Sequence, residues 1–186
     1  MYLLIGLGNF GQEYKNTRHN FGFLLIDKII ARYKLIPQGK KFKSDFFIGE
    51  IDDNKILALK PQTFMNLSGF AVAEAINFYK IPLQNIIVFH DDIDLDFAKI
   101  KYKIGGGNGG HNGLKSIDEN IGKEYARIRL GVGRPENLKY EISEYVLAKF
   151  SVEELKTIEI LNQKISDNFP ELLRNKSQNF LNKIHI

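Results

Sequence analysis

Apolar and polar positions fall in blocks along this chain, and the period of the pattern changes from block to block. Residues 2–7 are a short apolar run that ends at glycine, which predicts a strand buried on both faces. In 20–33, Phe21, Leu24, Leu25, Ile29 and Ile30 recur at helical spacing. Segments 46–51 and 55–59 read as strands, and Asp52-Asp53-Asn54 between them is a hairpin turn. Residues 67–78 predict a helix through Phe70, Ala71, Ala73, Ala75 and Ile76, and 86–89 another buried strand. Apolar and basic residues alternate over 97–104, as in a strand with one wet face. A helix is expected over 111–121, then a strand over 126–133 on which Arg127 and Arg129 share a face. Ser151-Val-Glu-Glu154 is a capping box opening a helix on Leu155, Ile158, Leu161 and Ile165. A second helix, rich in lysine and asparagine, is expected from Phe169-Pro170. Strands alternating with helices give an α/β fold: one domain over 1–186, a three-layer sandwich with a twisted mixed sheet and helices on both faces. The C-terminal helices begin at about 151.

Composition narrows the function classes. A chain of 186 residues with 44% hydrophobic content buries a substantial core. Without cysteine there is no disulfide, thiolate nucleophile or Cys-ligated zinc. Residues 1–5 lack a basic n-region, and no apolar run approaches the ~20 residues that span a bilayer. The expectation is a cytoplasmic protein with no membrane association. The net charge of +4 fits either a lysine-rich proteome or a partner bearing phosphates.

Candidate chemistry collects where strands end. Three of the four histidines precede an amide or a carboxylate: His19-Asn20, His90-Asp91 and His111-Asn112. Each lies where a strand-like or glycine-rich stretch gives way to a helix-like one, and Thr63-Phe64-Met65-Asn66 occupies a similar junction. In open α/β sheets such carboxyl-end junctions converge on one crevice. Asp91 follows the buried run 86–90 and so points from a strand end toward that crevice.

Several motifs fail on context. Gly6-Leu-Gly8-Asn-Phe-Gly11 matches a dinucleotide fingerprint, but a polar loop follows it, and the acidic residue expected ~20 residues on is absent, which disfavours a nucleotide-dependent oxidoreductase. Those glycines either let the chain turn or keep the backbone low, so that Asn9 can face a ligand. The stretch from Gly105 to Gly113 has six glycines in nine residues but no P-loop lysine. An EF-hand starting at Asp92 would need glycine where Phe97 stands and glutamate where Lys103 stands. Nothing supports magnesium at Asp91 and Asp92. Ser68 lies outside a GxSxG elbow. With no credible nucleophile, a histidine that activates water is the leading mechanism.

Five blocks stand in order along the chain: Ile5-Gly-Leu-Gly-Asn9, Tyr14-Lys-Asn-Thr-Arg-His-Asn-Phe-Gly22, Lys60-Pro-Gln-Thr-Phe-Met-Asn-Leu-Ser-Gly69, His90-Asp-Asp-Ile-Asp-Leu95 and the glycine-rich stretch 105–113. In these the chain resembles the bacterial-type peptidyl-tRNA hydrolase family. Arg127-Ile-Arg-Leu-Gly-Val-Gly-Arg-Pro135 resembles the family's last strand. The likeness implies an enzyme that cleaves the ester between a peptide and the tRNA 3′ ribose, without metal or cofactor. It implies His19 as general base, Asp91 as its partner, and Asn9, Asn66 and Asn112 as amides that hold the substrate. Tyr14, Phe64, Met65 and His111 would contact the tRNA end or the peptide, and Lys103 and Arg129 would clamp the tRNA 5′ phosphate. For the last two, ordinary solvated charge is the competing reading. A monomer is expected. The alternative is an RNA-binding module of the same fold without activity.

Overall fold

A computed structural model of the chain describes residues 1–135, 137 and 139–184. Its seven strands are β1 (Tyr2–Gly6), β2 (Ile36–Lys41), β3 (Ser44–Ile51), β4 (Asn54–Pro61), β5 (Ile86–Asp92), β6 (Ile100–Ile104) and β7 (Ala126–Gly131). They form one sheet in the order β2-β3-β4-β1-β5-β7-β6. The central strands β4, β1, β5 and β7 are parallel, while β2, β3 and β6 pair antiparallel at the flanks. The helices are α1 (Phe21–Arg32), α2 (Ser68–Tyr79), α3 (Asn112–Ile121), α4 (Ile142–Leu147), α5 (Val152–Asn168), α6 (Pro170–Leu173) and α7 (Ser177–Ile184).

Successive side chains on a strand point to opposite faces, so a sheet covered on both sides needs unbroken apolar strands. Leu4, Ile87 and Phe89 face a core closed by Phe21, Leu25 and Ile29 of α1 and by Ile158, Leu161 and Ile165 of α5. Leu3, Ile5, Ile86 and Val88 face the opposite core, closed by Val72 and Ala75 of α2 and by Leu114 and Ile117 of α3. The three-layer mixed sheet expected from the sequence is therefore the observed one. Asp52 and Asp53 both adopt left-handed backbone (φ 52° and 62°), as a two-residue turn matching strand twist requires. At Ser151 the capping box is complete: Glu154 N donates to Ser151 Oγ, and Ser151 N donates to Glu154 Oε2.

Several expectations need correction. β2 was not foreseen: its six residues are all exposed and include Pro37 and Gly39, so no alternation betrays it. β6 starts at Ile100 because residues 97–99 form a turn through Ala98 at φ 64°. The second C-terminal helix is two, α6 and α7, interrupted where Asn175 turns left-handed (φ 59°). α4 was also missed.

Candidate active site

β1, β4 and β5 run parallel, so their carboxyl ends open on the same edge of the sheet. α1 reaches that edge through Gly22, where an added Cβ would lie 2.3 Å from the Phe89 carbonyl oxygen and 2.6 Å from Leu7 N. Only glycine permits so close a crossing, and it brings the one-turn helix Arg18–Asn20 down against β5. His19 is 8% exposed and Asp91 3%. His19 Nδ1 lies 2.9 and 3.1 Å from the two Asp91 carboxylate oxygens.

A second imidazole meets the same carboxylate. His111 Nε2 is 3.0 Å from Asp91 Oδ1, and the two imidazole rings are centred 4.8 Å apart. His111 is the N-cap of α3, its Nδ1 accepting from Gly113 N (3.1 Å) and Leu114 N (3.3 Å). Nδ1 is thus an acceptor, which assigns the His111 proton to Nε2 as a donor to Asp91. The ligand atoms of His19, Asp91 and His111 lie within 4.8 Å of one another, close enough for a shared cation. The helix end argues against a metal there: binding one at Nε2 would move the proton to Nδ1, where two backbone N–H groups already point.

Charge follows from this packing. Burial alone pushes Asp91 up, but its electrostatic interactions and hydrogen bonds with His19 and His111 more than reverse it, holding the carboxyl well below the usual range. Burial pulls His19 down; the Asp91 charge and hydrogen bond outweigh it and raise the imidazole above 6.5. His90 goes the other way. Burial, aided by neighbouring His111, pushes it down to about 3, against the pull of the Asp91 carbonyl, which accepts its Nδ1–H at 2.8 Å. Its Nε2 is buried without a partner among the described residues. Because the folded protein keeps His90 neutral while the unfolded chain protonates near 6.5, this residue's contribution is intact above 6.5. It is lost as pH falls toward 3, at a slope of up to about 1.4 kcal/mol per pH unit. Urea midpoints measured across that window should fall less steeply for His90→Asn than for the parent; equal slopes would remove His90 as the cause.

Asn9 joins the site from the other side. Asn20 grips its backbone, with Asn9 N donating to Asn20 Oδ1 (2.8 Å) and Asn20 Nδ2 donating to Asn9 O (2.9 Å). Asn9 Oδ1 accepts from Met65 N (3.0 Å), and its Nδ2 donor has no partner among the described residues. Met65 Sδ and His111 both crowd Gly113, where a Cβ would come within 2.6 and 3.1 Å of them. Asn9, Met65, Gly113, His111, Asp91, His19 and Asn20 therefore form a closed ring of neighbours.

His19, Asp91, His111 and Asn112 line a cavity of about 270 Å³ together with His90, Asn108 and, from α4, Ile142, Ser143 and Val146. A smaller cavity of about 80 Å³ holds Lys103 and Arg129 and shares His90, Asp92, Asn108 and Gly109 with the first. Arg129 Nε donates to Asp92 Oδ2 at 2.7 Å, so it is already paired. Asn66 is exposed, and Phe64, 56% exposed, packs against Phe10 with ring centres 5.5 Å apart and planes tilted by 46°. Tyr14 is half-buried on the turn Gln12–Tyr14 and is not among the residues lining either cavity.

Arg127, on the same strand face as Arg129, does not face solvent. It is buried, bonded to Asp118 (2.9 Å) and to the carbonyls of Gly107 (3.0 Å) and Gly106 (3.3 Å), and it pins the glycine-rich loop that leads to His111. Sequence reasoning also missed Asn20, Arg18 and the α4 wall. The histidine–asparagine pairing was a usable signal for Asn20; nothing local marked α4.

A doubly wound sheet carrying a buried carboxylate between two imidazoles, with open amides beside it, is an arrangement suited to acid–base chemistry on a polar substrate. The family model described as Peptidyl-tRNA hydrolase matches residues 3–186. The chain is 48% identical over 186 residues to the curated peptidyl-tRNA hydrolase of Azorhizobium caulinodans, covering 100% of this chain and 91% of that protein. It is 49% identical over 185 residues to that of Rickettsia bellii (99% and 100% covered). A crystal structure of peptidyl-tRNA hydrolase from Acinetobacter baumannii superposes with a TM-score of 0.92 at 33% identity, covering 99% of this chain and 94% of that one. The chain belongs to the peptidyl-tRNA hydrolase family.

Proposed function

We propose that this protein hydrolyses the ester joining a peptide, or an N-blocked amino acid, to the 3′ ribose of tRNA, with His19 drawing the proton from the attacking water. The observation that carries the mechanism is the His19–Asp91 contact. Nδ1 donates to the carboxylate, so the lone pair sits on Nε2, which has no partner among the described residues. Nε2 takes the water proton as hydroxide adds to the ester carbonyl; Asp91 stabilises the imidazolium, which then returns the proton to the departing ribose oxygen. The Nδ2 of Asn9 and the exposed amides of Asn66 and Asn112 suit the ester and peptide carbonyls, and Phe64 and Tyr14 offer surfaces for the terminal base or the peptide, while Met65, buried in the core, acts through its backbone N–H on Asn9. His111 is given a second role beside substrate contact, holding Asp91 from the other side. No metal or cofactor is required, and we propose a cytoplasmic monomer. No helix among the described residues is long and apolar enough to cross a membrane.

Incubation with N-acetyl-aminoacyl-tRNA and with the unblocked form tests the reading. Release of the blocked amino acid, insensitive to EDTA, with the free-amine substrate spared, is expected; stoichiometric binding without release would instead fit a non-catalytic RNA-binding module.

We further propose that the Lys103/Arg129 cavity takes a tRNA phosphate. Lys103→Ala and Arg129→Ala should each raise KM and reduce the slope of log(kcat/KM) against log[salt] by about one. If ester substrates without the tRNA body suffer equally, the cavity binds no phosphate.

A further inference from the structure

The side chain that precedes His19 is heavily engaged. Arg18 Nη2 donates to both Glu154 oxygens (3.0 and 3.1 Å), and Nη1 donates to the carbonyls of Ala148 (3.3 Å) and Lys149 (3.0 Å). Its guanidinium carbon lies 4.5 Å from the Tyr145 ring centre and 5.3 Å from that of Phe150. Side-chain exposure is 12% for Arg18 and 24% for Glu154. A guanidinium with one nitrogen on both oxygens of a carboxylate and another on two carbonyls, lying over two rings and mostly out of water, is weakly screened and keeps few rotamers, unlike a surface pair. The backbones follow suit: Arg18 N donates to Ala148 O, Phe150 N donates to Asn16 O, and Thr17 bridges Lys149.

α4 lies within this web of contacts. At six residues it is too short to persist unaided. Tyr145 ties it elsewhere through Oη, which donates to the Val132 carbonyl at 2.8 Å. Its Ile142, Ser143 and Val146 wall the cavity that His19 and Asp91 line. Glu154 is shared as well, since its Oε2 also accepts the Ser151 N–H at 2.6 Å, so one carboxylate anchors both the start of α5 and the His19 turn.

We propose that Arg18 is a positioning residue: through Glu154, Tyr145 and the 148–149 carbonyls it fixes the spacing between the α4 wall and the His19 turn, and thereby the fit of the acyl part of the substrate. This rests on the ester-hydrolase reading above. The acyl part is indicated because Ile142 and Val146 are apolar, whereas the cations Lys103 and Arg129 line the neighbouring cavity.

Steady-state kinetics on N-acetyl-phenylalanyl-tRNA and N-acetyl-alanyl-tRNA test it, using the parent, Arg18→Gln, Glu154→Gln and the double variant. Each single change should raise KM roughly tenfold for the phenylalanyl substrate and less for the alanyl one, with kcat changing under about threefold. The double variant should resemble either single, because both remove the same pair. Arg18→Lys keeps the charge but cannot reach the carboxylate and the two carbonyls at once or lie flat over the rings, and should recover only part of the loss. Glutamine at 154 still completes a capping box, so Glu154→Gln reports on the pair even if Arg18→Gln does not fold. An unchanged KM in the single variants despite a lower Tm, or additive KM effects in the double, overturns the proposal and leaves a merely structural contact. Parent protein that releases no acyl group at all exposes failure of the hydrolase reading instead, and both then fall.

Discussion

Replacing His19 by alanine is expected to lower kcat by at least about 10²-fold, the contribution of a positioned general base. The loss should appear in kcat as well as kcat/KM, because the imidazole acts as charge develops rather than in ground-state binding. The fold should survive. His19 sits on a single turn at the cavity edge, outside both apolar cores. Asp91 keeps the N–H of His111 as a partner, so losing one of its two donors should cost about 1–3 kcal/mol, measurable as a lower Tm in an otherwise native circular dichroism spectrum. Undiminished ester cleavage by His19→Ala would remove this residue from the mechanism.

Asp91→Asn should be nearly as damaging, for a reason specific to this geometry. The carboxylate accepts from two imidazoles at once, His19 Nδ1 and His111 Nε2. A carboxamide has one oxygen and one N–H₂ to offer. His111 cannot change tautomer without turning an N–H toward the backbone donors of Gly113 and Leu114. The amide oxygen therefore takes the Oδ1 place, 3.0 Å from His111 Nε2 and 2.9 Å from His19 Nδ1, and the amide nitrogen takes the Oδ2 place, 3.1 Å from His19 Nδ1. There its N–H₂ opposes an Nδ1–H on His19 and favours the tautomer with the proton on Nε2, while the negative charge that stabilises the imidazolium is gone, and a kcat loss of roughly 10²-fold or more follows. The pH profile should move too. Both influences that raise His19 come from Asp91, while burial lowers it, so residual activity should persist to lower pH than in the parent. An unmoved acid limb would dissociate the pair.

The same pair leaves opposite signatures on stability. Asp91, depressed in the folded state, contributes fully above its unfolded value of 3.8, and that contribution fades as pH falls. His19, raised in the folded state, contributes fully below 6.5 and loses that contribution as pH rises through its folded value.

Much of the fold could be read from local pattern because local physics decides it. The parallel strands are buried on both faces and so appear as unbroken apolar runs; α1 and α5 declare their period, and the hairpin and capping box announce their ends. What could not be read depends on distant partners. β2 has no buried face, and α4 exists through contacts to Arg18 and Val132 rather than by its own propensity. Arg127 shares strand parity with Arg129, yet Asp118 and two loop carbonyls draw it inside. In the site, the His–Asn and His–Asp pairs at strand ends marked His19, Asp91, His111 and Asn112. That His111 donates to Asp91 is a tertiary fact, fixed by where α3 begins, and no spacing in the chain reveals it.

The most direct measurement is a nitrogen-15 NMR titration of the His19 imidazole set beside the pH dependence of kcat/KM, which reports groups of the free enzyme. The expected result is a neutral ring protonated at Nδ1, titrating above 6.5, with a midpoint that coincides with the acid limb of kcat/KM. A ring protonated at Nε2, or an acid limb that tracks some other midpoint, would contradict His19 as the base held by Asp91.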